Sequence, residues 1–188
     1  MSGRTEEAAP LSQASTRAVR PAIAADLPHL PAIERSAAQA FRGVGVSLGP
    51  DISPASPDTW RPALRGGTLW VAESEAWRIV GFLAARKINR VLHIDEVDVA
   101  FDQQRRGYGR ALLGAAIAWA RKAALKEITL TTFRALAFNR QFYASAGFME
   151  FAPDRVPARI ASLLSREAND GFDPAERCAM MLRLQESR

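Results

Sequence analysis

At 188 residues the chain is long enough for one well-cored domain and too short for two ordinary domains with a linker. An apolar fraction of 48% beside 24% charged residues is that of a globular protein and lies well away from the disordered and membrane classes. The net charge of +5 favours an anionic partner, nucleic acid or a phosphorylated cofactor, and one cysteine cannot make an internal disulfide or a zinc cluster.

Residues Met1 to Thr16 are rich in Ala, Ser, Glu and Gln without any period, so 1–16 is expected to be a disordered tail and 17–188 the domain. The opening MSGRTEEAAP has no apolar segment, does not read as a secretory signal, and leaves cytoplasmic residence as the expectation. Ala18 to Pro21 reads as a short strand. Asp26 is positioned to cap a helix whose apolar positions Leu27, Leu30 and Ile33 follow helical spacing. Pro28 fits its first turn, whereas Pro31 argues for a later true start. Gly43 to Pro57, with three glycines and three prolines, marks a long loop of the kind that is often functional, followed by a short helix around Asp58 to Leu64.

Thr68 to Glu73 and Trp77 to Lys87 are two β-rich runs around a polar turn and predict a hairpin. Val91 to Phe101 is a third strand. Gly107 to Ala123 is the clearest helix, with Leu112, Leu113, Ala116, Ile117 and Ala120 on one face. Its apolar stretch Ala111 to Ala120, closed by Arg110 and Arg121, is far too short to cross a bilayer. Glu127 to Phe133 is a strand, Phe138 to Ala146 a helix stopped by Gly147, and Phe148 to Phe151 a further short strand. A helix around Ala158 to Ala168 and a strand from Arg177 to Leu184, with Cys178 as a core thiol, complete the order. The class is α/β with a mixed sheet, in which strand, helix and strand imply a parallel pair joined by a right-handed crossover.

The most informative segment is Val97 to Leu113, VDVAFDQQRRGYGRALL, where a strand passes through a basic loop into a glycine-opened helix. The first N–H groups of a helix lack internal partners and carry the positive end of its dipole, so they bind phosphate oxygens. Gly107 and Gly109 let backbone approach a ligand closely, and Arg105, Arg106 and Arg110 add positive charge. A dinucleotide fingerprint would need glycine at Leu112, and a P-loop would need Lys then Ser or Thr at Ala115 and Ala116.

QRRGYG, formed by Gln104, Arg105, Arg106, Gly107, Tyr108 and Gly109, resembles the Gln/Arg-x-x-Gly-x-Gly/Ala signature of the GCN5-related N-acetyltransferases, the GNAT family. The preceding strand ends in Val99 at the expected offset, the following helix has Leu112 and Leu113, and NRQFYASAGF at Asn139 to Phe148 resembles the family's second motif. Thr131 to Phe133, Phe138-Asn139, Phe142-Tyr143 and Gly147-Phe148 resemble one branch of it. The resemblance spans Val19 to Leu184 and implies a GNAT acyl-CoA N-acyltransferase fold, a central mixed β-sheet flanked by helices. It implies acetyl-CoA as cofactor and transfer of an acetyl group to a primary amine of a small molecule or peptide in a ternary complex.

The family further implies that the loop and Asn139 contact the cofactor and that Tyr143 is the general acid, donating to the CoA thiolate as it departs. Backbone N–H groups around Val97, Asp98 and Val99 are the implied donors to the thioester carbonyl and pantetheine amides. The amine must lose a proton, and the family draws its base from the strand that here holds His93, Asp95 and Glu96. Alternation puts His93, Asp95, Val97 and Val99 on one face and Glu96 and Asp98 on the other, whereas a bulge would change the parity and favour Glu96. No metal site is indicated, because the two histidines and the cysteine are far apart. A nucleic-acid-binding module would use the same basic patch but lacks interleaved aromatics at a recognisable motif. A non-catalytic CoA-binding regulatory domain would keep the fold, and Tyr143 argues against it. A monomer or a homodimer is equally compatible with the sequence, and no membrane or nucleic-acid partner is expected.

Overall fold

A computed structural model describes residues 18–41, 54–134 and 136–184, with the backbone alone at 137 and 138. The N-terminal tail and most of the 43–57 loop therefore lie outside the described residues. Seven strands form one sheet in the order β1-β2-β3-β4-β5-β7-β6. They are β1 (Ala18–Pro21), β2 (Leu69–Glu73), β3 (Ile79–Ile88), β4 (Val91–Val99), β5 (Glu127–Phe133), β6 (Met149–Glu150) and β7 (Arg177–Arg183). Every neighbouring pair is antiparallel except β4 and β5. The exception follows from the crossover: α3 (Tyr108–Lys122) carries the chain back so that β5 runs alongside β4 in the same direction.

The sheet is covered on both faces. On one, α3 buries Leu112, Leu113, Ala116 and Ala120 against Leu83, Leu92, Ile94 and Leu130. Complete burial of a leucine such as Leu112 contributes about 2 kcal/mol. On the other, Leu27, Leu30 and Ile33 meet Val71, Phe82 and Ala84, with Trp60 beside them. Leu30 and Ile33 belong to α1 (Leu30–Ala37), and Trp60 directly precedes α2 (Arg61–Arg65). Along β3 the alternation of Phe82 and Ala84 with Leu83 and Ala85 sends successive residues to opposite cores.

Asp26 does not cap an α-helix. Residues Ala24–His29 form a 3-10 segment, and the Asp26 carboxylate accepts from the Ile23 N–H at 2.8 Å and pairs with Arg20 at 2.7 Å. The α-helix starts later, with Pro31 in its first turn, where a proline needs no internal donor.

Of the two readings left open for the third strand, straight alternation and a bulge, the register shows the bulge. Ala84 faces Glu96 while its neighbour Ala85 faces Ile94, so Asp95 is an extra residue in β4. This bulge resets the parity. Leu92 and Ile94, then Val97 and Val99, all pack with the α3 core, whereas His93, Glu96 and Asp98 are turned to the face of α1. Gly81 makes the end of the pair possible, because a Cβ there would stand 2.8 Å from the Asp98 carbonyl oxygen.

Candidate active site

The β4–β5 ladder is short. Its register pairs are Val91 with Glu127, Leu92 with Ile128 and His93 with Thr129, after which β4 continues to Val99 and β5 to Phe133 without pairing with each other. The strands splay, and the β5-facing edge of β4 is left without a neighbouring strand. A cleft of about 920 Å³ opens there, large enough for a cofactor. Val97, Asp98, Val99, Gln104, Arg105, Arg106, Gly107, Tyr108, Gly109, Arg110, Asn139 and Tyr143 all line it. Residues separated in sequence by the whole of α3 and β5 are thus brought to one wall.

The loop between β4 and α3 is held open by its own backbone. Gln104 donates from Nε2 to the Val99 carbonyl at 3.1 Å, tying the loop to the strand end. Arg105 has φ 58° and Gly107 φ 87°, two left-handed residues within three. For an arginine that conformation is uncommon, and such strain gathers at binding loops. The first bond into α3 runs from the Ala111 N–H to the Gly107 carbonyl at 3.0 Å, so the amides of Gly109 and Arg110 precede the helical ladder and point their dipole at the cleft. Arg105 and Arg106 are exposed and make no ion pair among the described residues, while Arg110 reaches Ser145 of α4 (Ala137–Ser145) at 3.3 Å. An anion has both backbone donors and exposed cations here, which is the donor set a pyrophosphate needs.

On the opposite wall Asn139 is the third residue of α4, and the helix is capped by Leu136 rather than by it. Tyr143 is half-buried, its ring packed edge-on against Phe142 and Phe148 at 5.0 and 5.8 Å between centroids. Its hydroxyl pKa is raised above that of a free phenol, by burial first and then by the charges of Glu96 and Asp98. The phenol therefore keeps its proton at neutral pH.

The ionisable residues of β4 separate into two groups. His93 is buried, its Nδ1 lies 3.0 Å from Thr129 Oγ1, and burial with the charges of Arg159 and Arg86 depresses it to about 3. The Asp95 carboxylate is held by Arg86 at 2.6 Å. Burial raises its pKa, against the opposing effect of Arg86. Neither residue lines the cleft, and nor does Glu96; of the four, only Asp98 does. Glu96 and Asp98 lie beyond the bulge and face Glu34 of α1. Burial first, and then the charge of Glu34, pushes Glu96 up to about 7, and burial, then Glu96 and Glu34, pushes Asp98 well above the carboxylate range. Glu34 is itself raised by burial, while its Oε2 accepts from the Ala55 N–H at 3.0 Å.

Sequence reasoning missed Glu34 and Arg177. Arg177 stands 4.5 Å from the Phe133 ring centroid, pairs with Glu167 at 2.9 Å, and lowers the pKa of both Glu96 and Tyr143. No local signal marks either residue, since both reach the site only through tertiary packing.

The family model described as "Acetyltransferase (GNAT) family" matches residues 34–148, from α1 through the cofactor-type loop to the end of α4, and the chain belongs to that family. Its fold recurs in N-acetylglutamate synthase from Neisseria gonorrhoeae, complexed with coenzyme A and N-acetyl-glutamate, at TM-score 0.68 and 18% identity over 92% of this chain. This chain spans only 36% of that protein's length. The ribosomal-protein-S18-alanine N-acetyltransferase from Escherichia coli matches at TM-score 0.64 and 19% identity, over 92% of this chain and 97% of its own. The PaiA N-acetyltransferase from Thermoplasma acidophilum in complex with coenzyme A gives 0.61 and 14%, over 90% and 99%. At such identities the likeness is one of fold. Among the described residues no helix is long and apolar enough to cross a membrane.

Proposed function

We propose that the chain transfers an acetyl group from acetyl-CoA to a primary amine of a small molecule or peptide, by direct attack in a ternary complex. The observation that carries this reading is the cleft at the splay of β4 and β5, where a glycine-opened helix N-terminus, an unpaired strand edge and a proton-bearing tyrosine converge. The cofactor, when bound, supplies a thioester carbonyl open to attack and a thiolate leaving group. The amides of Gly109 and Arg110, with Arg105 and Arg106, hold its pyrophosphate, and the free edge from Val97 to Val99 hydrogen-bonds its amides and the carbonyl oxygen. Asn139 contacts it from α4.

Tyr143 gives its proton to the sulfur. Its high pKa suits an acid that must stay protonated until charge develops. Among the three candidates for the base we place Glu96 first. It lies past the bulge on the side of Asp98, and at about 7 its carboxylate is both available and basic near neutrality. Asp95 is engaged by Arg86, and an imidazole depressed to about 3 is a poor proton acceptor.

Thermal unfolding with saturating acetyl-CoA, NAD or ATP tests the reading, because a ligand of the native state raises the melting temperature by mass action. Acetyl-CoA is expected to raise it by several degrees and the nucleotides weakly. An unchanged transition with acetyl-CoA, alongside a shift with NAD, would refute it. A panel of amines scored by CoA thiol release then identifies the acceptor.

A further inference from the structure

A second polar cluster lies on the face of the sheet opposite α3, at the point where β4 and β5 part. His93 and Thr129 are the last register pair, and Arg159 of α5 (Ala158–Asn169) approaches the same Thr129 hydroxyl with Nη2 at 3.4 Å. Its Nη1 is buried and has no hydrogen-bond partner among the described residues. The neighbouring cations are matched: Arg86 by Asp95, Arg177 by Glu167. Arg159 is not. Glu127 attracts it only through space, and Arg86 repels it. The adjacent imidazole is neutral and brings no counter-charge. A shielded guanidinium nitrogen without an acceptor is an unfavourable arrangement that a ligand oxygen would relieve.

We propose that Arg159 receives the carboxylate of the acceptor, so that the substrates of this chain are amines bearing a carboxylate several bonds from the nitrogen. The proposal rests on the acetyl-transfer reading above. A carboxylate matches the planar guanidinium fork, with the Thr129 hydroxyl beside it. A monoanion is preferred to a dianion because Glu127 is close enough to repel surplus negative charge. The spacing follows from the strand. Glu96 is three residues beyond His93, one of them taken up by the bulge, which puts Glu96 about 7–10 Å along β4 from the His93–Thr129 pair that Arg159 approaches, at the usual rise per residue. An α-amino acid is too short to span that distance. Arg159 is half-buried overall, and on this proposal a rotamer change presents its shielded nitrogen to the ligand.

Pentylamine and 6-aminohexanoate differ by one carboxylate and make the test. With acetyl-CoA the aminohexanoate is expected to show kcat/KM at least tenfold higher, mostly through KM. Arg159→Met keeps the apolar stem and should reduce that ratio to near one, and Arg159→Lys should restore part of it. Hexanoate should inhibit competitively against 6-aminohexanoate. Equal use of the two amines, a preference that survives Arg159→Met, or absence of competitive inhibition by hexanoate overturns the proposal. If neither amine is acetylated, hexanoate is titrated into protein carrying 15N-labelled arginine, and a shift of the Arg159 side-chain resonance, absent in Arg159→Met, is required. No shift overturns the carboxylate site. The acetyl-transfer reading fails separately, through loss of CoA binding in the thermal assay.

Discussion

Removing the Tyr143 hydroxyl isolates the proposed acid from the packing around it. Tyr143→Phe keeps the ring against Phe142 and Phe148, so stability and CoA affinity should change little, while turnover falls by about 10²- to 10⁴-fold. Undiminished turnover, measured by thiol release, would remove the tyrosine from the mechanism. Glu96 makes a pH-dependent claim. If it is the base it must be ionised, so the rate rises with pH through about 7, and Glu96→Gln should abolish that limb. The same shift bears on stability. A carboxyl raised in the folded protein from its ordinary 4.5 to about 7 binds protons more tightly there than when unfolded, so its contribution is full below 4.5 and lost as pH rises through about 7. His93 acts oppositely: lowered from 6.5 to about 3, it costs stability as pH falls below 6.5. The melting temperature of the ligand-free protein, compared between wild type and Glu96→Gln across pH 4.5 to 7, should therefore show a smaller decline with rising pH in the variant. At this scale the loop residues were legible in sequence because glycines and arginines are consecutive there. Glu34, Arg159 and Arg177 were not, because their positions depend on which helix and strand lie across the groove.

Among the elements, the strand that carries the ionisable residues depends on a glycine in its neighbour. Gly81→Ala would put a methyl 2.8 Å from the Asp98 carbonyl, within contact of Val99 and Leu112 as well, so β4 must move. We expect a loss of about 1–3 kcal/mol in chemical denaturation, together with weaker CoA binding, since the displaced segment is the proposed cofactor edge. A variant as stable as wild type would mean that the strand end is looser than its packing indicates. The helix α3 and the hairpin of β2 and β3 were readable from periodicity, because a long amphipathic stripe and alternating β-branched runs are local signals. The bulge at Asp95 was not fixed by any residue type. Alternation alone put Asp95 with Val97, and only the pairing of Ala84 and Ala85 with Glu96 and Ile94 shows where the phase changes. The 3-10 segment ahead of α1 escaped for a similar reason, since Asp26 satisfies a cap pattern while Arg20 and the Ile23 amide claim its oxygens.

For the whole molecule, the mixed sheet and the parallel pair followed from strand, helix, strand order, but the insertion of β7 between β5 and β6 did not. That pairing joins Glu127–Phe133 to Arg177–Arg183 across the 43 residues from 134 to 176, and no local preference encodes it.

The early parting of β4 from β5 divides the sheet into two leaves, β1 to β4 on one side and β5, β7 and β6 on the other, joined by three register pairs and by packing across α3. A join so narrow is a weak line for cooperativity. The second leaf has its own ladder from Glu127 to Phe133 against β7 and can open as a unit while the first leaf stays folded. Native-state hydrogen exchange should then show Leu130 and Met180 exchanging at a lower free energy than Leu83, with CoA narrowing the difference because, bound as proposed, it would touch β4 and α4 together. The protein's cofactor would in that case also act as a fastener, and its loss would release the acceptor side of the site first.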